Sequence, residues 1–329
     1  MVIDAIGSSD PRLLRSAEAR EPTRLRKLLR GVGWLALAHA IVGVLLRITV
    51  RDTFPGVAVA YYLTPPMLLA LSAAITLVFA CRFRRWLRGA LIVGALATIT
   101  GSACSSFALR TTPMSAERRV RLAFWNVGRW EPRASMADEI LAYDPDVIVL
   151  VEARSTENGP QWPDLFRGYE ASSNTWQMLA LARGRLQERS ATKRPRSIRA
   201  RAFRVATESG SLDLMVTDVN SAPARSRREP LAWLAGIADT SEANVIVGDF
   251  NTPSDSVHFQ PLRESWDQAF DVSGSGYRPT WPMPFPVLDL DQAWVRRGSG
   301  VRATAVTAGW SRRADHRPLI VDLTLERAP

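Results

Sequence analysis

Apolar residues divide the chain into two regions with different patterns. The first region contains three long uncharged apolar stretches, at 31–46, 56–81 and 89–109. A membrane-spanning helix needs about 20 apolar residues, and the first stretch reaches this length if Arg47 extends its charge to the interface. Because two more stretches follow the first, we do not expect a cleaved signal peptide. The pattern therefore predicts a segment of three transmembrane helices over 31–109, at about 31–50, 56–81 and 89–109.

The second region begins at residue 120 and alternates short apolar runs with amphipathic segments. Helical periodicity predicts helices at 136–143 and near 230–240. Alternation of strands and helices indicates an α/β or α+β domain over 120–329, after a linker at 110–119. Runs rich in Val, Ile and Leu predict strands at 120–127, 147–151, 212–219, 244–248, 292–295 and 319–325.

Charge is distributed unevenly between the two regions. The chain has a net charge of +10, but residues 120–329 contain 26 basic and 26 acidic residues, so the excess lies in 1–119. A domain that binds duplex DNA normally carries a net positive charge. Nucleic acid is therefore not the favoured partner of this region, although it stays an alternative. Two cysteines indicate neither a disulfide framework nor a cysteine metal site.

Arginine-rich segments predict the orientation of the chain in a membrane. Seven basic residues lie in the N-terminal segment 1–30 and four in the loop 82–88, whereas the loop between the first two spans has only Arg47 and Arg51. The positive-inside rule then places residues 1–30 and 82–88 in the cytoplasm. Three spans would put the second region on the extracytoplasmic face of the cell membrane. Four arginines between 110 and 121 oppose this orientation.

Polar side chains follow the predicted strands of the second region. In the clearest case, the run Val-Ile-Val is followed by Gly248-Asp249-Phe250-Asn251. A carboxylate and an amide at the end of a buried strand suit a hydrated metal ion and a phosphate. The other polar residues at strand ends are Asn126, Glu152, Asp218, Asn220, Asp291, Asp315 and His316.

The order of these residues resembles the endonuclease/exonuclease/phosphatase superfamily, which has the deoxyribonuclease-I-like fold. The elements that carry the resemblance are Asn126, Glu152, Gly-Asp-Phe-Asn, Asp291 and Asp-His-Arg-Pro, and they extend over about 120–325. Thr280-Trp281-Pro282 is similar to a segment that precedes the Asp strand in bacterial members. The resemblance implies a four-layer αββα sandwich, here preceded by a three-helix transmembrane segment. The site would lie where the two sheets meet at one edge.

The resemblance also implies a metal centre and a reaction. Glu152 would bind a divalent metal, with Asn126 beside it and Asp315 at or near the ion. A carboxylate, an amide and water suit Mg²⁺, with Mn²⁺ as a substitute. The reaction would be metal-assisted in-line hydrolysis of a phosphoester, without a covalent intermediate.

Four further residues receive catalytic roles from the same resemblance. Asp249 would position and deprotonate the attacking water, and Asn251 would hold a phosphate oxygen. His316 would place positive charge on the phosphoryl oxygens. Asp291 would orient His316 and raise its pKa.

One departure from the family pattern concerns the leaving group. Many members have a second His in the segment that corresponds to 218–223, but the other histidines of this chain are His39 and His258. Asn220 or, with a shift of two residues, Asp218 would take its place. A leaving group of low pKa, such as another phosphate, needs no strong acid. We expect His258 to be a surface or helix residue and His39 to be hydrogen-bonded or packed in the membrane.

Arginines near this segment are candidates for binding substrate. Arg225, Arg227 and Arg228 follow it, and we expect Arg225 and Arg228 to hold the substrate phosphate. The stretch 189–204 contains seven basic residues and no acid. It is either a solvated hairpin edge or a patch for lipid headgroups or a polyphosphate.

Together these features predict a membrane-anchored, metal-dependent phosphoester hydrolase acting on a lipid-linked or small phosphorylated substrate. The layout is similar to a membrane-anchored bacterial branch of the superfamily, which includes a protein thought to act on a polyprenyl diphosphate. Two alternatives are an anchored nuclease and a catalytically inactive membrane sensor or scaffold.

Overall fold

The structure is a computed structural model that describes residues 22–80, 84–110, 119–157, 159–194 and 196–326. Residues 1–21 of the predicted basic segment 1–30, part of the 82–88 loop and most of the linker therefore lie outside the described residues, whereas residues 22–30 begin the first helix. The orientation inferred from those arginines stays a prediction.

Four helices form the N-terminal region: α1 (Pro22–Ile48), α2 (Pro55–Tyr62), α3 (Pro66–Ala80) and α4 (Arg85–Ser106). Among the described residues, two helices, rather than the three predicted, are by themselves long and apolar enough to cross a membrane, over Lys27–Ile48 and Arg85–Ser106. The predicted span at 56–81 is instead a pair, α2 and α3, bent by 59°, which counts as a third span only if taken together. Pro65 and Pro66 explain the break, because helical backbone geometry is unfavourable for the residue that precedes a proline.

Small residues allow the helices to pack closely. Gly43 of α1 faces Leu69 and Thr64, and a Cβ atom added there would lie 2.3 Å from Leu69 Cδ2. Large apolar side chains point outward instead, such as Leu35 and Val78, each 72% exposed. An apolar outer surface is typical of helices that face lipid.

The second region contains two six-stranded sheets. Their spatial orders are β10-β12-β9-β8-β7-β6 and β13-β14-β2-β3-β5-β4. In chain order, and including a short pair outside these sheets (β1 with β11), the strands are β1 (Phe107–Leu109), β2 (Arg119–Asn126), β3 (Val147–Val151), β4 (Glu170–Ala171), β5 (Leu179–Ala182), β6 (Arg185–Arg194), β7 (Ile198–Thr207), β8 (Gly210–Val219), β9 (Val245–Asp249), β10 (Trp266–Gln268), β11 (Ser275–Tyr277), β12 (Asp291–Arg296), β13 (Val301–Ala308) and β14 (Leu319–Leu325).

The sheets pack face to face and helices cover their outer faces. Phe124 and Val149 of one sheet share a fully apolar core with Val216 and Val247 of the other. Helix α5 (Ala134–Leu141) covers one outer face and α6 (Arg228–Asp239) the other. The remaining short helices are α7 (Gln260–Arg263) and α8 (Ala269–Ser273). The predicted αββα sandwich is thus confirmed.

Strand direction and register bring the polar residues together. Strands β2 and β3 are parallel, as are β8 and β9, so each pair ends at the same edge. Asp218 lies opposite Asp249 in the second pair. Strand β12 is antiparallel to β9 and begins with Asp291 opposite Asp249. The carboxyl ends of the central strands therefore define one polar edge of the sandwich.

Candidate active site

Asp249, Asp291 and His316 form the buried centre of this edge. Nδ1 of His316 lies 2.8 Å from Oδ2 of Asp291, and Nε2 lies 3.9 Å from Oδ2 of Asp249. One ligand atom from each residue lies within 4.8 Å of the others. Since a carboxylate accepts the hydrogen bond, Nδ1 of His316 carries the proton and Nε2 faces Asp249.

Burial and charge set the protonation of this group. Burial is the largest single influence on the pKa of His316, and it opposes the charged imidazolium. The carboxyl groups of Asp291, Asp249 and Asp315 together outweigh burial and raise the pKa of His316 to about 10. Burial, followed by the charge of Asp291, raises the pKa of Asp249 above its ordinary range. His316 is therefore a cation at neutral pH, paired with the carboxylate of Asp291. The pairing of His316 with Asp291 contributes its full stabilisation of the folded protein below about pH 6.5, the pKa of a histidine in the unfolded chain. This contribution is lost as the pH rises through about 10, the pKa of His316 in the folded protein.

This arrangement predicts the effect of replacing Asp291. Asp291→Asn removes the negative charge that favours the imidazolium, so burial dominates and the pKa of His316 falls well below 10. NMR titration of the histidine resonances of the metal-free protein measures this pKa. The resonance of His316 must be distinguished only from those of His39 and His258, the other two histidines of the chain. A His316 resonance that still titrates near pH 10 would contradict the assignment.

Two asparagines fix the carboxylate of Asp249. Nδ2 of Asn126 donates to Oδ2 at 2.8 Å, and the backbone N–H of Asn251 donates to Oδ1 at 2.8 Å. Asn251 has a left-handed backbone, with φ of 46°, and its side chain donates to the carbonyl of Val219 at 2.7 Å. Asparagine is one of the few residues that adopt this conformation readily. Asn126, the last residue of β2, therefore orients one oxygen of Asp249, and the loop that follows β9 orients the other.

Each of the three predicted metal ligands belongs to the turn 126–129 or contacts it. Oδ1 of Asn126 accepts the N–H of Gly128 at 2.9 Å, and Arg129 pairs with Glu152 at 3.1 Å. Oδ1 of Asp315 would lie 2.5 Å from a Cβ at position 128, so a side chain there would displace this carboxylate. Two carboxylates and an amide are oxygen donors, which hard divalent cations prefer. The donor set therefore fits Mg²⁺ or Mn²⁺.

Asp218 and Asn220 occupy different positions relative to this centre. Asp218 pairs with Arg199 at 3.2 Å, and burial, offset in part by Arg199, raises its pKa to about 6. Its charge also acts on Asp249. Asn220 lies beyond the end of β8, and its Oδ1 accepts the N–H of Ala222 at 3.0 Å. Strand register thus places Asp218 opposite Asp249, whereas the side chain of Asn220 accepts a hydrogen bond within its own turn.

A basic groove adjoins the site. It has a volume of about 550 Å³, and the site residues Glu152, Asp218 and Asn220 form part of its lining. Nζ of Lys193 lies 5.1 Å from the ring centre of Trp176 in its wall. Six cationic side chains line the groove: Arg129, Arg154, Lys193, Arg194, Arg196 and Arg199. Because β6 and β7 form an edge hairpin, the hairpin predicted within 189–204 is confirmed, and its tip is one wall of the groove.

The three arginines that follow Asn220 are placed differently from one another. Arg225 and Arg228, the predicted phosphate ligands, are exposed and do not line the groove; Arg225 donates to the carbonyl of Arg196. Arg227 is 2% exposed, and its Nε donates to the carbonyl of Asn251 at 3.2 Å. The structure therefore brings Arg227 to the Asp249 loop.

The histidines outside the site are both hydrogen-bonded. Nδ1 of His39 lies 2.9 Å from Oγ of Ser72, as expected for a packed helix histidine. His258 is only 9% exposed, and its Nε2 lies 2.9 Å from the carbonyl oxygen of Asp52. The expectation of a surface position for His258 is wrong, because the segment after α1 covers it.

Comparison with known families agrees with the order and geometry of these residues. The model of the Endonuclease/Exonuclease/phosphatase family matches residues 123–316, more than half of the chain. The chain belongs to this family. Its matched part includes Asn126, Glu152, Asp249, Asp291 and His316, so the site lies within the family domain.

Solved structures share the fold of the family domain. A family protein from Bacteroides thetaiotaomicron has 10% identity and a TM-score of 0.51, covering 65% of this chain and 100% of its own. A functionally unknown conserved protein from Enterococcus faecalis V583 has 14% identity and a TM-score of 0.50, covering 63% and 100%. At these identities the likeness concerns the fold alone. No curated protein matches the sequence.

Proposed function

We propose that this family member is a membrane-anchored, divalent-metal-dependent phosphoester hydrolase that acts by in-line attack of an activated water. The observation that carries the proposal is the orientation of Asp249, which Asn126 and Asn251 hold opposite a cationic His316. A carboxylate base beside a fixed cation is what phosphoester hydrolysis requires.

The roles follow from the contacts. Asp249 accepts the proton of the attacking water, and its raised pKa suits a base that works near neutral pH. His316 faces the same place with Nε2 and balances the charge that builds on the phosphoryl oxygens. Asp291 keeps that imidazole oriented and charged. Asn251 is assigned a phosphate oxygen, and Asp218 with Asn220 lies on the side of the leaving group.

Glu152, Asp315 and Asn126 are the residues assigned to Mg²⁺ or Mn²⁺. When bound, the ion would polarise a phosphoryl oxygen and lower the charge that the protein must stabilise. Family enzymes generally use divalent metals, which supports this assignment.

The groove supports a substrate with negative charge beyond the scissile phosphate. Six cations and two acids line it, although the region 120–329 is formally neutral. The apolar helices hold the domain at a membrane surface, which favours a lipid-linked or small phosphorylated substrate. Trp176 in the groove favours one alternative, a nuclease, since aromatic rings stack on unpaired bases.

Contacts of the helices with the domain support a multi-pass arrangement in the cell membrane. Arg47 near the end of α1 pairs with Asp255, and β1 directly after α4 pairs with β11. The two long helices therefore both end at the domain. Helix α3 returns the chain to the opposite side, since it runs back along α1 from Leu69 beside Gly43 to Phe79 beside Gly33. The predicted orientation would place the domain on the extracytoplasmic face.

The groove yields a prediction for substrate affinity. Replacing both Lys193 and Arg194 by Gln removes two cations from the groove, and we expect KM to rise about tenfold with kcat within about twofold. The increase should shrink at high salt, because these charges are exposed. The matched control is Arg185→Gln with Arg189→Gln, which removes two cations from β6 outside the groove. Equal KM values in the two double variants would contradict a role for the groove.

The deciding experiment assays the full-length protein in detergent with Mg²⁺ or Mn²⁺. A polyprenyl diphosphate and plasmid DNA are offered separately, and wild type is compared with Glu152→Ala. Phosphate release from the lipid alone, lost in the variant and after chelation, supports the proposal. DNA cleavage alone assigns the protein to nucleases. Activity on neither substrate, together with no metal binding, favours the sensor or scaffold.

A further inference from the structure

The segment that follows α1 contacts the loop that follows Asp249. We name residues 49–54 the anchor loop and residues 250–259 the catalytic loop. Asp52 of the anchor loop is 1% exposed. Its carboxylate accepts hydrogen bonds from the hydroxyl of Ser256 and, at 3.1 Å, from the N–H of Val257. A buried carboxylate that accepts two such bonds holds its partners firmly, because none of these groups has water as an alternative.

A third bond from the same residue fixes His258. Its Nε2 lies 2.9 Å from the backbone carbonyl of Asp52. A carbonyl oxygen can only accept, so Nε2 carries the hydrogen and donates it. One residue of the anchor loop therefore binds three consecutive residues of the catalytic loop.

Arg47 provides a second attachment. Its guanidinium pairs with Asp255, and its Nε donates to the carbonyl of Thr64 at 2.8 Å. The same guanidinium lies 4.5 Å from the ring centre of Tyr61. Arg47 thus joins the end of α1, the α2–α3 break and the catalytic loop.

A third contact reaches the start of the catalytic loop. The hydroxyl of Tyr62 in α2 is buried near the guanidinium of Arg227 and the side chain of Thr252, although it forms no hydrogen bond there. Arg227 in turn donates to the carbonyl of Asn251. The helical region therefore contacts the catalytic loop at both ends.

Movement of this loop would reach the reacting groups directly. The N–H of Asn251 fixes Oδ1 of Asp249, and the carbonyl of Thr252 accepts from Nε2 of Gln292 at 2.8 Å. Strand β12, which carries Gln292, also begins with Asp291. The catalytic loop thus lies between the anchor loop on one side and the Asp249–Asp291 strands on the other.

We propose that the anchor loop clamps the catalytic loop, with Asp52 as the main positioning residue and Arg47 and Tyr62 as its supports. The helical region then completes the active site rather than only tethering it. The catalytic consequence rests on the proposed function, whereas the clamp itself can be measured without activity.

The test uses full-length protein in detergent and three variants. Asp52→Ala removes the carboxylate, Asp52→Asn retains an acceptor for Val257, and Thr53→Ala is the control, since the Thr53 hydroxyl bonds only within its own loop, to the carbonyl of Val50. Hydrogen exchange of residues 254–259 is followed by mass spectrometry. Exchange of β14 reports whether the domain stays folded.

We expect exchange over 254–259 to rise at least about tenfold in Asp52→Ala, with β14 unchanged, and to be partly restored in Asp52→Asn. In the same variant kcat should fall about 10- to 100-fold with KM nearly constant, because small displacements of reacting groups have effects of this size. Unchanged exchange would overturn the clamp. Faster exchange with unchanged kcat would overturn the positioning role. If wild type hydrolyses neither substrate, the proposed function fails and exchange alone decides the clamp.

Discussion

Replacing Asp249 by Asn is expected to lower kcat for phosphoester hydrolysis by about 10³-fold, within the range found when a general base is removed. The amide cannot take the proton of the attacking water. It is nearly isosteric, and its Oδ1 can still accept the N–H of Asn251, so the fold should persist. Steady-state phosphate release with saturating Mg²⁺ or Mn²⁺ measures the effect on the full-length protein.

The matched control for this variant is Asp267→Asn. Asp267 is partly exposed and pairs with Arg297 on the surface of the domain. It should keep wild-type kcat and KM. If Asp249→Asn retains more than about a tenth of the wild-type rate, Asp249 is not the base, and the buried triad has a structural role.

His316→Gln is expected to lower kcat by about 10²- to 10³-fold, with a smaller change in KM. Nε2 of the imidazolium faces Asp249, and His316 is the cationic member of the buried triad. Glutamine can donate a hydrogen bond but carries no charge, so the transition state loses more stabilisation than the bound substrate. Separate determination of kcat and KM distinguishes this from weaker binding.

His39→Gln is the matched control for His316. His39 is hydrogen-bonded to Ser72 between two helices, far along the chain from the site. Its replacement should leave both constants unchanged. A rise in KM with kcat unchanged in His316→Gln would show that the residue contributes to substrate binding rather than to stabilising the transition state.

Several strands could be predicted because their residues are apolar on both sides. The bounds of β3 and β14 agree fully with the prediction, and those of β2, β8, β9 and β12 agree to within two residues. In these central strands both faces are covered, either by the other sheet or by a helix, and a continuous apolar run results. The polar residues that directly follow these strands could be recognised because each one ends a continuous apolar run.

Edge strands and short helices were harder to predict. Strand β6 is polar along most of its length because it is exposed at the sheet edge, so its sequence resembles a solvated loop. The 56–81 stretch is apolar throughout, and although Pro65 and Pro66 mark a break in it, only the tertiary structure shows that α2 and α3 are bent by 59°. Local sequence can mark the place of a break but does not record the angle between the two helices.

The sequence alone determined the two-part organisation and the order of the site residues, since both depend on local patterns of apolar and polar positions, whereas the sandwich fold was implied by the resemblance to the family. Tertiary structure decided which residues meet. It brought Arg227 rather than Arg225 or Arg228 to Asn251, and it buried His258 beneath Asp52, a residue about 200 positions earlier in the chain. Such contacts depend on strand register and on the docking of the helices, and neither leaves a periodic signal in the sequence.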